Sequence, residues 1–472
     1  EKMLVAWGPE WLTKAFRATG ILDDDNFVKR IIPEQRIKIT TGNNGGKFLF
    51  DVEYEREAPG LHTQLFAKVP FPLSGATKSD RLSSSVNKQP QEFYEINASR
   101  LLESTLPMKV PKFYYGDISN ETSNWILITE RVPFKDHAGM NFGKPERQKG
   151  HLKPYQVEGP YDKCVDYNLR GAPQEYYLLL VQVGARMAAL HKVGELGSEE
   201  VLKANFGYPP MLGAGPEMWG INPAASTGEP AKQVQAKLDS AINFISNTGS
   251  VLYPKYVVET SFQDKFRNTL LTVVAYSLEL NYWKHSNLDY VALTHTNMNV
   301  DNAYFWRNAA DVLECGVFDW GGLGVGSVGH KLWWWLYCGD FGTFSQHLPD
   351  YIGSFIAEYR GHGGPELDPQ VLRTQILITA MEQGMGLVSA VPQIMKMCPA
   401  QQWPTIRDRY DPRISNNIDN KSTLRLYLHV LNNVIRIIEE MEGDTLLQDW
   451  IDTFWVQTMG LTAKSADLVL GE

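Results

Sequence analysis

The sequence predicts an α+β protein in two parts, and three observations predict it. Residues 1–132 carry short apolar runs separated by turn residues, with one helical stretch among them. From Glu175 onward the apolar residues recur at helical spacing instead. Within that helical half, two short apolar runs flank a polar loop near residues 290–320. Strands interleaved with a helix in one part and helices dominating the other describe a small β-rich unit beside a large helical one.

In chain order, Trp11 to Arg17 is a short amphipathic helix. Gln35 to Thr40 and Lys47 to Tyr54 are strands around the turn Thr41-Gly42-Asn43-Asn44-Gly45-Gly46, whose glycines and asparagines accept positive φ. Leu61 to Val69 is a third strand, Glu92 to Ser104 a helix, and Pro111 to Gly116 with Trp125 to Val132 a further pair of strands. Residues 133–173 are rich in Pro, Gly and charge, and read as a long connection. The division expected from this pattern is 1–132 and 133–472. In the second part, helices are expected over Glu175 to Lys192, from Asp368-Pro369 to about Met385, and over Ser422 to Met441. The Asp-Pro pair supplies an N-cap with proline at the first helical position.

Composition bounds the function. The 472 residues include 45 Lys and Arg against 54 Asp and Glu, a net charge of −9, so a general nucleic-acid binder is disfavoured. A 43% hydrophobic content excludes wholesale disorder. The cysteines Cys164, Cys315, Cys338 and Cys398 are far apart and form no CxxC pair, so neither a disulfide framework nor a zinc site is expected. Apolar runs such as Leu332 to Cys338 fall well short of the ~20 residues needed to span a bilayer, and no transmembrane segment is expected. The chain opens at Glu1, compatible with a removed targeting peptide, so its compartment is open. The sequons at Asn97, Asn120 and Asn420 are read as chance matches.

The chemistry concentrates in Thr294-His295-Thr296-Asn297-Met298-Asn299-Val300-Asp301-Asn302 and in Gly316-Val317-Phe318-Asp319-Trp320, whose Asp319 lies seventeen residues after Asn302. Upstream, Lys68 sits in the apolar strand Leu65-Phe66-Ala67-Lys68-Val69 after a Gly/Asn turn. A strand lysine is most often a solvated face, and a Gly/Asn turn is most often only a hairpin. In this order, however, the elements match the parts used for phosphoryl transfer: a glycine loop over phosphates, a strand lysine, a polar catalytic loop and an acid on the next strand.

On these residues the chain resembles the kinase-fold small-molecule phosphotransferases, a group with aminoglycoside phosphotransferases, choline kinases and ecdysteroid-kinase-like proteins. Their catalytic loop reads H-G-D-x4-N and their metal strand I-D-F or I-D-W, against His295-Thr296-Asn297-x4-Asn302 and Phe318-Asp319-Trp320 here. Ala189-Leu190-His191 is similar to the close of a family helix, and Glu92-Phe93-Tyr94 to the helix that offers a glutamate to the strand lysine. The resemblance runs in order through most of residues 35–390 on about a dozen specific positions. It implies a bilobal protein-kinase-like fold whose β-rich lobe binds ATP, with Mg²⁺ as the second cofactor.

Residue by residue, the resemblance implies that Lys68 grips the phosphates, paired with Glu92, with Glu95 one turn away nearly as well suited. The segment Gly42, Asn43, Asn44, Gly45 and Gly46 would cover the nucleotide, and the backbone of Glu130 to Val132 would meet the base. Asn302 and Asp319 would hold Mg²⁺. His295 would support its loop, and Asn297 stands where the family has its catalytic aspartate. A carboxylate can take a proton from an acceptor hydroxyl and a carboxamide cannot. Asp301 is not counted as a substitute base, because it adjoins the metal-binding Asn302. A second departure is Gly329-His330-Lys331, where the family usually has an aspartate bracing the loop.

These departures predict a catalytically impaired, pseudokinase-like protein that binds nucleotide and acts as a scaffold or subunit. The alternative is an active ATP-dependent kinase acting on a small-molecule hydroxyl. The partners expected are therefore a nucleotide and either a small acceptor or a protein. Trp333 to Trp335 could form a docking face, although helical geometry sends at least one of the three into the core.

Overall fold

The computed structural model describes residues 2–36, 45–70, 89–119, 121–122, 124–134, 156–207, 229–416 and 423–464. Five strands, β1 (Val28–Arg36), β2 (Gly46–Tyr54), β3 (Gln64–Val69), β4 (Phe113–Ile118) and β5 (Trp125–Glu130), form one sheet in the order β1-β2-β3-β5-β4. Every neighbouring pair is antiparallel. Alternation along β2 sends Phe48, Phe50, Val52 and Tyr54 to one face. There they join Leu65 and Ala67 of β3 and the buried Leu12 and Phe16 of helix α1 (Lys2–Ala18). The opposite face carries Lys47, Lys68, Trp125 and Leu127. On that side, Ile96 of helix α2 (Gln89–Leu102) packs with Phe113, Trp125 and Leu127.

The first strand differs from expectation. It begins at Val28 instead of Gln35, because Ile31 and Ile32 continue the apolar pairing with β2 back to Val28 and Tyr54. Pro33 interrupts the register at a bulge, and β1 lies at the sheet edge, where a missing N–H costs least. The stretch 37–44, with the rest of the expected strand and Gly42, Asn43 and Asn44, lies outside the described residues.

The second part is mainly helical, giving the α+β bilobal, kinase-like arrangement. Its principal helices are α3 (Pro173–Lys192), α4 (Val328–Leu336), α5 (Phe341–Gly361), α6 (Pro369–Ser389) and α7 (Thr423–Glu440). Helix α6 is buried on every side from Gln375 to Val388, and it forms the axis of this lobe. Asp368 caps it as expected, accepting from the N–H groups of Gln370 (2.7 Å) and Val371 (3.4 Å). Two short antiparallel ribbons cross the lobe at its border with the sheet: β6 (Val291–His295) with β9 (Leu323–Ser327), and β7 (Ala303–Arg307) with β8 (Leu313–Val317). The described helices include none long and apolar enough to cross a membrane.

The tryptophan run on α4 divides between core and rim. Trp333 and Trp335 are fully buried, whereas Trp334 is half-buried. Trp333 Nε1 donates to Gln383 of α6 (2.6 Å), and Trp335 Nε1 donates to the carbonyl of His295 (2.7 Å). The Trp335 ring fits against α3 because position 184 is glycine: a Cβ there would sit 2.4 Å from that ring. This packing fixes the height of the polar loop that follows β6. Trp335→Ala is expected to cost about 3–5 kcal/mol. Trp334→Ala is expected to cost clearly less. Denaturant unfolding of both variants checks this, and equal losses would contradict the division.

Candidate active site

One ammonium group bridges the two lobes. Lys68 Nζ, on β3, donates to Glu95 Oε2 of α2 at 2.6 Å and to Asp319 Oδ1 of the helical lobe at 2.8 Å. Lys68 is 2% exposed and Glu95 6% exposed, so the group is shielded from water. Burial alone would strip the proton from Lys68, but Asp319 and Glu95 hold it charged, above the usual lysine range. Burial would likewise push Asp319 up, and the ammonium groups of Lys68 and Lys47 bring it below the usual carboxylate range instead. The lysine's partner on α2 is therefore Glu95, not Glu92. Glu92 is buried three residues earlier on the same helix.

Asp319 follows β8 with φ 63° and ψ 53°, the left-handed region that aspartate visits more readily than most residues. The turn Trp320–Gly322 then runs directly beneath α2: a Cβ at Gly321 would lie 3.1 Å from the carbonyl of Gln91. The absent side chain lets α2 descend far enough for Glu95 and Asp319 to share the lysine.

The polar loop is held by neutral hydrogen bonds. His295 is fully buried, and burial pushes it down to about 4, so it is neutral near pH 7. Its Nδ1 accepts from the Asn297 N–H (3.0 Å), which puts the ring proton on Nε2, facing the carbonyl of Phe318 (3.2 Å). Asn302 Nδ2 donates to the carbonyl of Asn297 (2.8 Å), and the Phe318 N–H donates to the carbonyl of Asn302 (3.0 Å). The loop and the Asp319 segment are thus tied together directly. Asn299 Nδ2 donates to the main-chain carbonyl of Trp334 (3.3 Å) and to Asn297 Oδ1 (2.8 Å). Because only nitrogen can donate to that carbonyl, the Asn297 oxygen is the engaged atom, and its NH₂ remains for a ligand. Asp301 is turned away into an ion pair with Lys163 (2.9 Å).

Lys331 of α4, in the segment that lacks the expected aspartate, braces the loop from below. Its Nζ reaches the Thr296 hydroxyl and the carbonyls of Gly324 (3.2 Å) and Thr294 (3.4 Å), so a donor takes the place of an acceptor. Burial pushes this amine down to about 7.

Glu130 and Val132 line a cavity of about 180 Å³ with Lys109, Pro133, Val157, Tyr304 and Trp306. That is below the roughly 300–1,000 Å³ of pockets that enclose drug-sized ligands, and suits a flat base more than a whole nucleotide. Tyr304 is stacked on Phe318, with ring centroids 6.0 Å apart and planes within 7°, which links the cavity to the residue before Asp319. At the other end of the cleft, Gly45 leads into β2. A Cβ there would meet the Val69 carbonyl at 2.3 Å, so only glycine allows this approach. Sequence reading did not single out Lys47, Tyr304, Trp306 or Lys109, and it met Lys331 only as part of a departure, because each gains its place from pairing or packing across distant segments.

Among the described residues no group of three or more His, Cys, Asp or Glu could hold a metal. One carboxylate and one carboxamide, Asp319 and Asn302, are oxygen donors of the kind that Mg²⁺ takes, and they are the residues that would hold it.

No family model matches the chain, and no curated protein does. Among solved structures, it is similar to choline kinase from Cryptosporidium parvum Iowa II, with 9% identity over 96% of this chain and 100% of that one, and a TM-score of 0.43. A microcompartment-associated aminopropanol kinase gives 13% identity over 92% and 99% of the two chains, with a TM-score of 0.42. A spectinomycin phosphotransferase, solved with ADP and spectinomycin, gives 13% identity over 92% and 98%, with a TM-score of 0.39.

Lys331 generates a pH prediction. Between about pH 7 and the ordinary lysine value of 10.5, the unfolded chain keeps a proton that the folded amine has lost, so stability rises with pH. Below about pH 7 both states are protonated and the cost of burial is constant. The titratable groups nearest Lys331 are His285, His295 and His330, all pushed down by burial and neutral across that range. Lys331→Met should therefore lack this part of the rise. Melting temperatures of both proteins from pH 7 to 10 check it, and a constant difference between them would overturn it. By its own geometry, a strand lysine shared between a helix glutamate and an aspartate beside a polar loop, the chain is a kinase-like bilobal protein similar to small-molecule phosphotransferases of known structure.

Proposed function

We propose that the chain binds a nucleotide between its lobes and is catalytically impaired, a pseudokinase-like protein serving as a scaffold or complex subunit. In this reading the lobe boundary falls after Val132. Lys68 holds the phosphates, the segment ending in Gly45 and Gly46 covers them, and the backbone of Glu130 to Val132 meets the base above Tyr304. Asn302 and Asp319 are the residues that would hold Mg²⁺, which when bound to phosphate oxygens neutralises charge.

The observation that carries the reading is the environment of Asn297. Its oxygen is engaged by Asn299, and the group it offers outward is a donor. It can orient an acceptor hydroxyl but cannot take its proton. The nearest acid in the loop, Asp301, is committed to Lys163. Loss of a general base typically lowers a rate by about 10²–10⁴. A second reading, an active ATP-dependent kinase for a small hydroxylated molecule, is favoured by the intact contact of Lys68 with Glu95 and Asp319. It gains plausibility because phosphoryl transfer depends mostly on positioning and electrostatics.

Two measurements test the proposal. Calorimetry with ATP is expected to give binding to the wild type that Lys68→Met loses. Transfer of the γ-phosphate to a panel of small hydroxylated acceptors is expected to be slow, and Asn297→Asp should raise it by about 10²-fold or more, since an aspartate there accepts the same Asn299 bond. A wild type already turning over at about 1–100 s⁻¹, as kinases ordinarily do, would sink the impaired reading in favour of the second.

A further inference from the structure

Lys47 and Lys68 are directly opposite each other on the antiparallel strands β2 and β3. Directly opposed residues point to the same face, so both ammonium groups lie on the cleft side of the sheet, and like charges so placed repel. Lys68 is matched twice, by Glu95 and Asp319. Lys47 has no ion pair among the described residues. The charged groups facing it are Asp319, Lys68 and Glu95, with Asp301 beyond; burial lowers its proton affinity, Lys68 adds to that, and the three acids oppose it. Asp301 is already bound to Lys163, and Asn297 supplies no charge. The cleft therefore holds an ammonium that no carboxylate pairs with directly among the described residues, one strand from the lysine that would meet the phosphates and close to the glycines that lead into β2.

An ammonium drawn into a cleft without a carboxylate partner of its own costs stability until an anion joins it, and perturbed charges gathered in a cleft are candidates for a ligand site. A divalent cation approaching Asp319 meets two ammonium groups already arrayed around that carboxylate. A polyphosphate meets an ammonium with an open side. We propose that Lys47 is a second phosphate-binding residue of the nucleotide site, supplying beside Lys68 part of the charge neutralisation that a divalent cation would otherwise bring. The site consequently takes a nucleoside di- or triphosphate with little dependence on Mg²⁺. The inference rests on the nucleotide-binding reading above and adds a residue and a metal dependence to it.

The experiment is calorimetric titration of the full chain with ADP and ATP, in EDTA and in saturating Mg²⁺, for the wild type, Lys47→Met and Lys47→Arg. The wild type is expected to bind in EDTA within about threefold of its affinity in Mg²⁺. Lys47→Met should lose about tenfold to a hundredfold in EDTA, the range for a charge-assisted hydrogen bond, and recover part of it in Mg²⁺. Lys47→Arg should retain binding in both. Melting of Lys47→Met without nucleotide is expected at or above the wild-type temperature, because a repulsion is removed, and this separates lost contact from lost fold. A wild type that binds only with Mg²⁺, or a Lys47→Met variant that binds like wild type in EDTA, overturns the role of Lys47 and leaves the nucleotide reading standing. A wild type that binds neither nucleotide under either condition overturns both.

Discussion

The architecture depends on one buried charge. Lys68 carries a buried ammonium into the seam between the lobes, where an unpaired cation would cost several kcal/mol, and two carboxylates from different parts of the chain offset that cost. Glu95 comes from α2 and Asp319 from the segment after β8, so the sheet, the helix beside it and the helical lobe must all be in register for the lysine to be satisfied. Removing any one partner strands the others. The glycine at 321 and the left-handed turn at Asp319 follow from this requirement, since both bring backbone closer than an ordinary residue would allow.

Around that charged triad the loop from His295 to Asn302 is deliberately uncharged. A histidine held neutral by burial accepts from the loop's own N–H, two asparagines bind main-chain carbonyls, and the one acid, Asp301, is drawn off to Lys163. Below it Lys331 braces the loop through the Thr296 hydroxyl and two main-chain carbonyls. Such a network keeps the loop in one shape whether or not the loop performs proton transfer. The shape of the loop and its chemistry are thereby separable: hydrogen bonds hold the first, while the group presented at position 297 is a carboxamide.

The charge balance of the cleft shifts in one direction. A carboxamide replaces the expected carboxylate at 297, Lys331 replaces an expected acid, and Lys47 joins Lys68 across the sheet. Each change makes the site less attractive to cations and more attractive to anions. On the proposed nucleotide-binding reading, polyphosphate recognition would depend less on magnesium than in a cleft dominated by acids.

Much of this was legible in the sequence, because strand and helix follow from local periodicity and from punctuation by Gly, Pro and Asp. The pattern of β2, the Asp-Pro start of α6 and the polar loop between apolar strands all depend on neighbours a few residues away. The residue types at 68, 295, 297, 302 and 319 likewise stand in the chain at recognisable spacing. Which carboxylate Lys68 takes could not be read there, because Glu92 and Glu95 differ by less than one helical turn and only the descent of α2 onto Gly321 chooses between them. Nor could the start of β1, which long-range pairing with Tyr54 sets against the local warning of Pro33. Lys47 became a cleft residue only through cross-strand register, and Lys331 a brace only through the packing of Trp333 and Trp335 that turns α4 beneath the loop. The sequence by itself determined the elements and the chemical groups available. The tertiary structure decided which of those groups share a charge, since ion pairing and desolvation act between atoms brought together from hundreds of residues apart.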